Sequence, residues 1–212
     1  MRELQTGVWH WEAPHPDWKP GEEWAELVSS YAIDDGDRLL LFDPLAPPSE
    51  IDELAAGRET AIVLTCPWHR RDAQLLTERF SAPLYVPPPD EGDPDPVGGE
   101  VFRSGDRLPV GVEAFPGMEP NDLVLWVESR RALVVGDTLI DRDHGLEFPA
   151  DWANKGVPPE QILETLRPLL ELPVELVLQT HGGPADRAAL ERALLTPEPG
   201  SPTSAARRST QS

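Results

Sequence analysis

Four apolar runs in this chain end abruptly in polar or titratable residues, and this arrangement constrains the fold more than any other feature. LLLF runs into Asp43, AIVLT into the segment from Cys66 to Asp72, ALVVG into Asp137, and ELVLQT into His181. Short apolar runs bounded by turns read as buried strands. Residues 38–42 and 132–135 lack polar alternation, as strands covered on both faces do. Further strands are expected at 28–33, 61–65, 83–86, 123–128 and 175–180, and helices at 71–80, 159–170 and 185–195. In the second helix, positions 162, 163, 166, 169 and 170 share an apolar face, and Pro168 distorts the last turn. The third begins after Pro184, a suitable first-turn residue. The class is α/β with strands in the majority. In such layered proteins the loops leaving strand C-termini converge on one sheet edge, which is where ligands bind.

Charge narrows the partners. Thirty-eight acidic residues against 18 basic ones give a formal charge of −20, which repels nucleic-acid phosphates and anionic lipid heads. A small-molecule substrate or ligand is expected, or a protein partner, with no nucleic acid and no membrane. A salt-adapted acidic surface competes as the source of the charge. No apolar run approaches a membrane span, and the N-terminus lacks the apolar stretch of a secretory signal. The single cysteine, Cys66, excludes an intramolecular disulfide and suits a reducing interior, so a cytoplasmic protein is expected.

Residues 1–195 are expected to form one domain. Its first 27 residues are rich in tryptophan, with Trp9, Trp11, Trp18 and Trp24 beside His10 and His15; these either pack against the body or line a pocket. Residues 87–99 carry five prolines and four acids and read as an exposed loop, and residues 196–212 as a disordered tail. No G-x-S-x-G elbow, Walker loop or dinucleotide glycine fingerprint is present.

The order of the remaining segments resembles the metallo-β-lactamase fold. YAIDDGDRLLLFDP is similar to that family's opening hairpin, and AIVLTCPWHRRDAQLL lies where the family carries a strand followed by Thr-His-x-His-x-Asp-His. VEAFPGMEPNDLVLWVESRRALVVGDTL is similar to the stretch with a Pro-Gly-His turn, a hairpin and Gly-Asp. VELVLQTHGGP is similar to the last strand and its ligand turn. The resemblance covers about residues 28–195. It implies an αββα four-layer sandwich and a hydrolase of a neutral ester, lactone, amide or thioester.

The departures from the family pattern fall on its metal ligands. In register after Thr65, the two leading family histidines become Cys66 and Trp68, and the following aspartate and histidine become Arg70 and Arg71. The Pro-Gly-His histidine becomes Met118. Asp137 and His181 keep the bridging aspartate and the final histidine, and are the candidate catalytic residues. Tryptophan offers no lone pair and arginine stays protonated, so the family's two-ion centre is not expected.

Two readings of the pocket remain. In one, His69 and Asp72 share a helical face and join Asp137 and His181 around one divalent ion (zinc, iron or manganese), with Cys66 able to add a thiolate. In the other no metal binds: Arg70 or Arg71 neutralises Asp137, and the pocket formed by Cys66, Trp68, Arg70, Arg71 and Met118 binds a ligand or partner without catalysis. Plainer roles compete at each position. They are a solvated helix start for His69, a helix cap for Asp72, turns for Asp43, Asp137 and His181, and packing for Cys66 and Met118.

Overall fold

The computed structural model describes residues 1–93, 96–153 and 156–195; the 196–212 tail and residues 94–95 of the acidic loop lie outside the described residues. The first sheet holds β1 (Arg2–Gln5), β2 (Val8–Pro14), β3 (Leu27–Asp34), β4 (Arg38–Phe42), β5 (Glu59–Val63), β6 (Leu84–Val86) and β7 (Glu100–Val101) in that spatial order. It is antiparallel as far as β4 and parallel from there to β7. The second sheet begins with β8 (Val112–Pro116), β9 (Leu123–Val127) and β10 (Ala132–Gly136). After a small ribbon, β11 (Ile140–Asp141) with β12 (Leu146–Glu147), it is completed by β13 (Leu176–Gln179) and β14 (Ala185–Asp186). Its spatial order is β14-β13-β10-β9-β8, and β10 runs parallel to β13.

Side-chain alternation explains the layering. Leu40, Phe42, Ala61 and Val63 point into a core shared with Leu123, Leu125, Val134 and Leu178 of the other sheet. Their neighbours Leu39, Leu41, Ile62 and Leu64 point the opposite way, onto α1 (Glu50–Ala55) and α2 (Ala73–Phe80) through Ile51, Ala73 and Leu76. On the second sheet Val124, Trp126, Leu133 and Val135 face α3 (Pro159–Leu166) and α4 (Arg187–Leu195) through Ile162, Leu166, Leu190 and Leu194. A strand apolar on both faces has to be covered on both faces, and helix–sheet–sheet–helix is the result.

Several element bounds differ from the sequence reading for local reasons. β5 ends at Val63 because the Thr65 amide leaves the ladder to donate to Asp43 Oδ1 at 2.9 Å. The helix expected at 71–80 starts at Ala73, after a tight turn at Pro67–His69. The 159–170 helix ends at Leu166 and tightens into a turn over Arg167–Glu171, where Pro168 lacks the amide that an α-helix requires. The tryptophan-rich start divides between its two expected roles. Trp9 and Trp11 lie on β2 and pack over the α1/α2 core, the Trp11 indole donating to the Leu45 carbonyl at 2.7 Å, whereas Trp24 lies in the loop that follows β2 and lines a cleft.

Hydrogen bonds stitch the sheets together at the end where β4, β5, β10 and β13 release their polar residues. Tyr31 on β3 donates its hydroxyl to the Gln179 carbonyl on β13 at 2.7 Å, and the Ser29 amide donates to the Thr180 carbonyl at 2.8 Å. Leu123 N reaches the Thr65 carbonyl at 2.8 Å, and Asp141 N ties the small ribbon to the second sheet's end through the His181 carbonyl at 2.9 Å.

Candidate active site

Asp137 follows Gly136 at the end of β10, and the turn that presents it depends on glycine. Gly136 has φ of +54°, and a Cβ there would come within 2.7 Å of Thr65 Oγ1 and 3.0 Å of Asp122 Oδ1. Asp137 is buried against two imidazoles and one indole. Trp68 Nε1 donates to Oδ2 at 2.8 Å, while His69 Nε2 and His181 Nε2 lie 3.3 and 3.4 Å from Oδ1. Neither imidazole meets Oδ1 along a hydrogen-bond line, so this buried oxygen has no hydrogen-bond partner among the described residues.

Behind His69 stands Asp43. Its Oδ2 lies 3.2 Å from His69 Nδ1 and accepts from Thr65 Oγ1 at 2.6 Å. Asp43 adopts a left-handed φ of +43°, and so does Arg71 at +35°, a conformation that costs non-glycine residues energy and collects at functional sites. The two are joined, since Arg71 Nη1 donates to the Asp43 carbonyl at 2.6 Å and to the Ser29 carbonyl at 3.1 Å. The buried row is therefore Asp43, His69, Asp137, His181, alternating acid and imidazole.

Burial alone disfavours a charged His69, yet the flanking Asp137 and Asp43 carboxylates outweigh it and push the group up to about 9. Burial likewise opposes ionisation of Asp137, but His69 and His181 overcome it and hold the carboxyl well below its usual range. Cys66 is fully buried, and burial together with the charges of Asp137, Asp122 and Asp43 keeps its thiol protonated well above the ordinary range.

The expected site residues are partly reassigned. Cys66, His69 and Asp137 each place one ligand atom so that all three lie within 4.8 Å of one another. Asp72 is not in this group. Its Oδ2 accepts from Ala46 N at 2.6 Å, and it makes no side-chain cap on α2; the tight turn separates it from His69 instead of stacking the two on one helical face. The proposed arginine–Asp137 pair is replaced by Trp68, because Arg71 is turned toward main-chain carbonyls and Arg70 is exposed. Met118 lies in the core beneath α3, away from the cleft, its amide donating to Thr138 Oγ1 at 3.0 Å.

Two contributors were not assigned this role from sequence. Asp43 carries the same sequence signal as Asp137, a polar residue closing an apolar strand, and beyond the turn expected there its carboxylate stands against His69. Asp122 is fully buried and accepts from Thr138 Oγ1 at 2.7 Å; burial, with the charge of Asp137, pushes its carboxyl well up. Its sequence signal is faint, an acid immediately before the apolar run of β9.

Above Asp137 opens a cleft of about 710 Å³, walled by Trp24, Trp68 and Trp152 with Arg71 and His15. Trp24 and Trp152 both meet the His181 ring edge to face, at centroid separations of 5.1 and 5.4 Å, and so fix its plane.

No curated protein matches the chain. Among solved structures it is similar to a metallo-beta-lactamase from Pontibacter korlensis, with 14% identity, a TM-score of 0.64, and coverage of 91% of this chain and 95% of that one. ETHE1 from Myxococcus xanthus shares 21% identity at a TM-score of 0.58, over 79% of this chain and 78% of that chain. TTHA1623, solved in a di-iron-bound form, shares 22% at 0.57, over 78% of this chain and 93% of its own. Likeness at these identities speaks to the fold alone. The metallo-beta-lactamase superfamily model matches residues 61–181, more than half of the sequence and the stretch that carries Cys66, His69, Asp137 and His181, and the chain therefore belongs to that superfamily.

Proposed function

We propose that this protein is a hydrolase that works with one divalent ion rather than two, cleaving a neutral ester, lactone, amide or thioester bond at the base of the tryptophan-walled cleft. The observation that carries this reading is the Cys66–His69–Asp137 trio with Asp43 behind it. The donor set suits a borderline ion such as zinc or iron. The spacing of its imidazole and carboxylate fits as well. A tetrahedral zinc with arms of ~2.0 Å holds its ligand atoms about 3.3 Å apart, and His69 Nε2 lies 3.3 Å from Asp137 Oδ1, the buried oxygen left without a hydrogen bond. Asp43 holds the far nitrogen of His69, as a supporting carboxylate does for a ligating histidine.

An ion held by Cys66 Sγ, His69 Nε2 and Asp137 Oδ1 would supply Lewis acidity to a substrate carbonyl and ease the deprotonation of water. The remaining work falls to the chain. Trp68 occupies Asp137 Oδ2 and so denies that carboxylate to a second ion. His181 Nε2 stands 3.4 Å from Asp137 Oδ1 and is the group placed to take the proton of an attacking water. Trp24 and Trp152 hold the His181 ring in place at the base of the cleft.

A second reading, a metal-free relative that only binds its ligand, is favoured by the Trp68 indole and the two imidazoles that already surround Asp137. One experiment separates the two. Protein purified without chelator or affinity metal is assayed by elemental analysis and on a panel of esters, lactones and thioesters, beside Cys66→Ser and Asp137→Ala. About one equivalent of metal, lost in both variants together with turnover, is expected. A folded wild type that takes up no zinc, iron or manganese on reconstitution overturns the hydrolase reading. A cytoplasmic location is part of the same proposal and rests on the lone buried Cys66; among the described residues no helix is long and apolar enough to cross a membrane.

A further inference from the structure

The cleft holds more aromatic surface, and more negative charge at its mouth, than bond cleavage requires. Three indoles wall it, and Trp68 keeps 40% of its surface exposed although its N–H is committed to Asp137. Asp17, Glu22 and Glu23, all exposed, line the mouth. The one arginine of the lining, Arg71, is tied through Nη1 to the carbonyls of Ser29 and Asp43, and the three carboxylates of the mouth outnumber it. At the floor, the buried His181 Nδ1 and Asp137 Oδ1 have no hydrogen-bond partner among the described residues.

An indole face is electronegative and attracts cations within about 6 Å of its centre. Trp152 already does so inside the protein, where the Arg142 guanidinium carbon stands 5.1 Å from the ring centroid. A carboxylate rim in a chain of formal charge −20 raises the local concentration of cations and repels anions before contact. Cavities of this size take small molecules rather than polymers.

From these features, and resting on the hydrolase reading above, we infer that the substrate carries an ammonium head group, which sits among Trp24, Trp68 and Trp152 beneath the carboxylates of Asp17, Glu22 and Glu23 while the scissile bond reaches Asp137. The substrate class is the esters of small amino alcohols and the mono-amides of diamines, which keep an ammonium group after acylation. Anionic acyl compounds are disfavoured by the same field.

The test separates this inference from the hydrolase reading because it needs no metal and no turnover. Chelator-treated protein is titrated by calorimetry at low salt with choline, with its uncharged isostere bearing carbon in place of nitrogen, and with acetate. Choline is expected to bind at least about tenfold more tightly than the isostere. That preference should weaken in Trp24→Leu and, through loss of steering, in the triple variant Asp17→Asn, Glu22→Gln, Glu23→Gln. Equal binding of choline and isostere, tighter binding of acetate, or no binding of choline overturns the inference. Choline binding without turnover of any ester on the panel would keep the ammonium pocket and remove the hydrolase. Turnover that ignores an ammonium group would do the reverse.

Discussion

His69 and His10 are both buried imidazoles, and their neighbours push them in opposite directions. His10 stacks on Tyr31 at 5.1 Å, with Nε2 2.8 Å from Ser29 Oγ, and burial holds its pKa below the ordinary value against the weaker pull of Glu12. The unfolded chain takes up a proton there before the folded protein does, so stability falls as pH drops below about 6.5. His69 is held up at about 9 by Asp137 and Asp43. Its contribution is therefore complete below about 6.5 and lost as pH rises toward 9. Urea midpoints of chelator-treated protein should decline on both sides of neutrality. His10→Gln should flatten the acid limb and His69→Gln the limb between pH ~6.5 and ~9. An alkaline decline that survives unchanged in His69→Gln would assign it to another group.

The end of β10 offers a test of how one element sets up the site. Gly136→Ala forces a left-handed alanine and drives its Cβ into Thr65 and Asp122. Backbone strain and overpacking together should cost about 2–4 kcal/mol, read from denaturant midpoints. Gly57→Ala, at φ of +76° with nothing among the described residues within 4 Å, carries only the backbone part, so equal losses in the two variants would show that the tight packing around Asp137 is not what glycine serves. Elements of this kind were partly legible in the sequence. The strands around residues 38–42 and 132–135 were readable because both faces are apolar, and the four polar strand ends do gather at one edge. The segment after Thr65 was less legible, because its side chains depend on a tight turn that no periodicity encodes. That turn buries His69, sets Trp68 on Asp137 and sends Asp72 to Ala46. β1 and β2 were missed for a different reason. β1 (RELQ) has a single apolar residue, and β2 (VWHWEAP) interrupts its tryptophans with His10 and Glu12, so neither presents the apolar run that marks the other strands.

At the scale of the whole molecule, the charge of −20 acts on stability and on ligand binding with opposite signs. Surface carboxylates repel one another in the compact state more than in the expanded chain, so screening them favours folding. The Debye length falls from about 30 Å at 0.01 M salt to about 3 Å at 1 M, which removes most of this repulsion. The buried Asp43–His69–Asp137–His181 row is shielded from the solvent ions that screen the surface, and its attractions persist. Exposed pairs such as Arg58–Asp34 and Arg142–Asp151 weaken with salt, but each is worth well under about 1 kcal/mol. The repulsive sum should therefore dominate, and Tm should climb by several degrees in sodium chloride, since each kcal/mol moves Tm by about 2–4 °C at this size. Over the same titration the affinity for an ammonium probe should fall, because the salt that relieves self-repulsion also screens the rim of Asp17, Glu22 and Glu23. Thermal melts and calorimetry on one salt series read both quantities. A Tm that falls with salt would mean that the surface pairs outweigh the repulsion, and the acidity would then have to be explained as a network of attractions rather than as a field directed at cations.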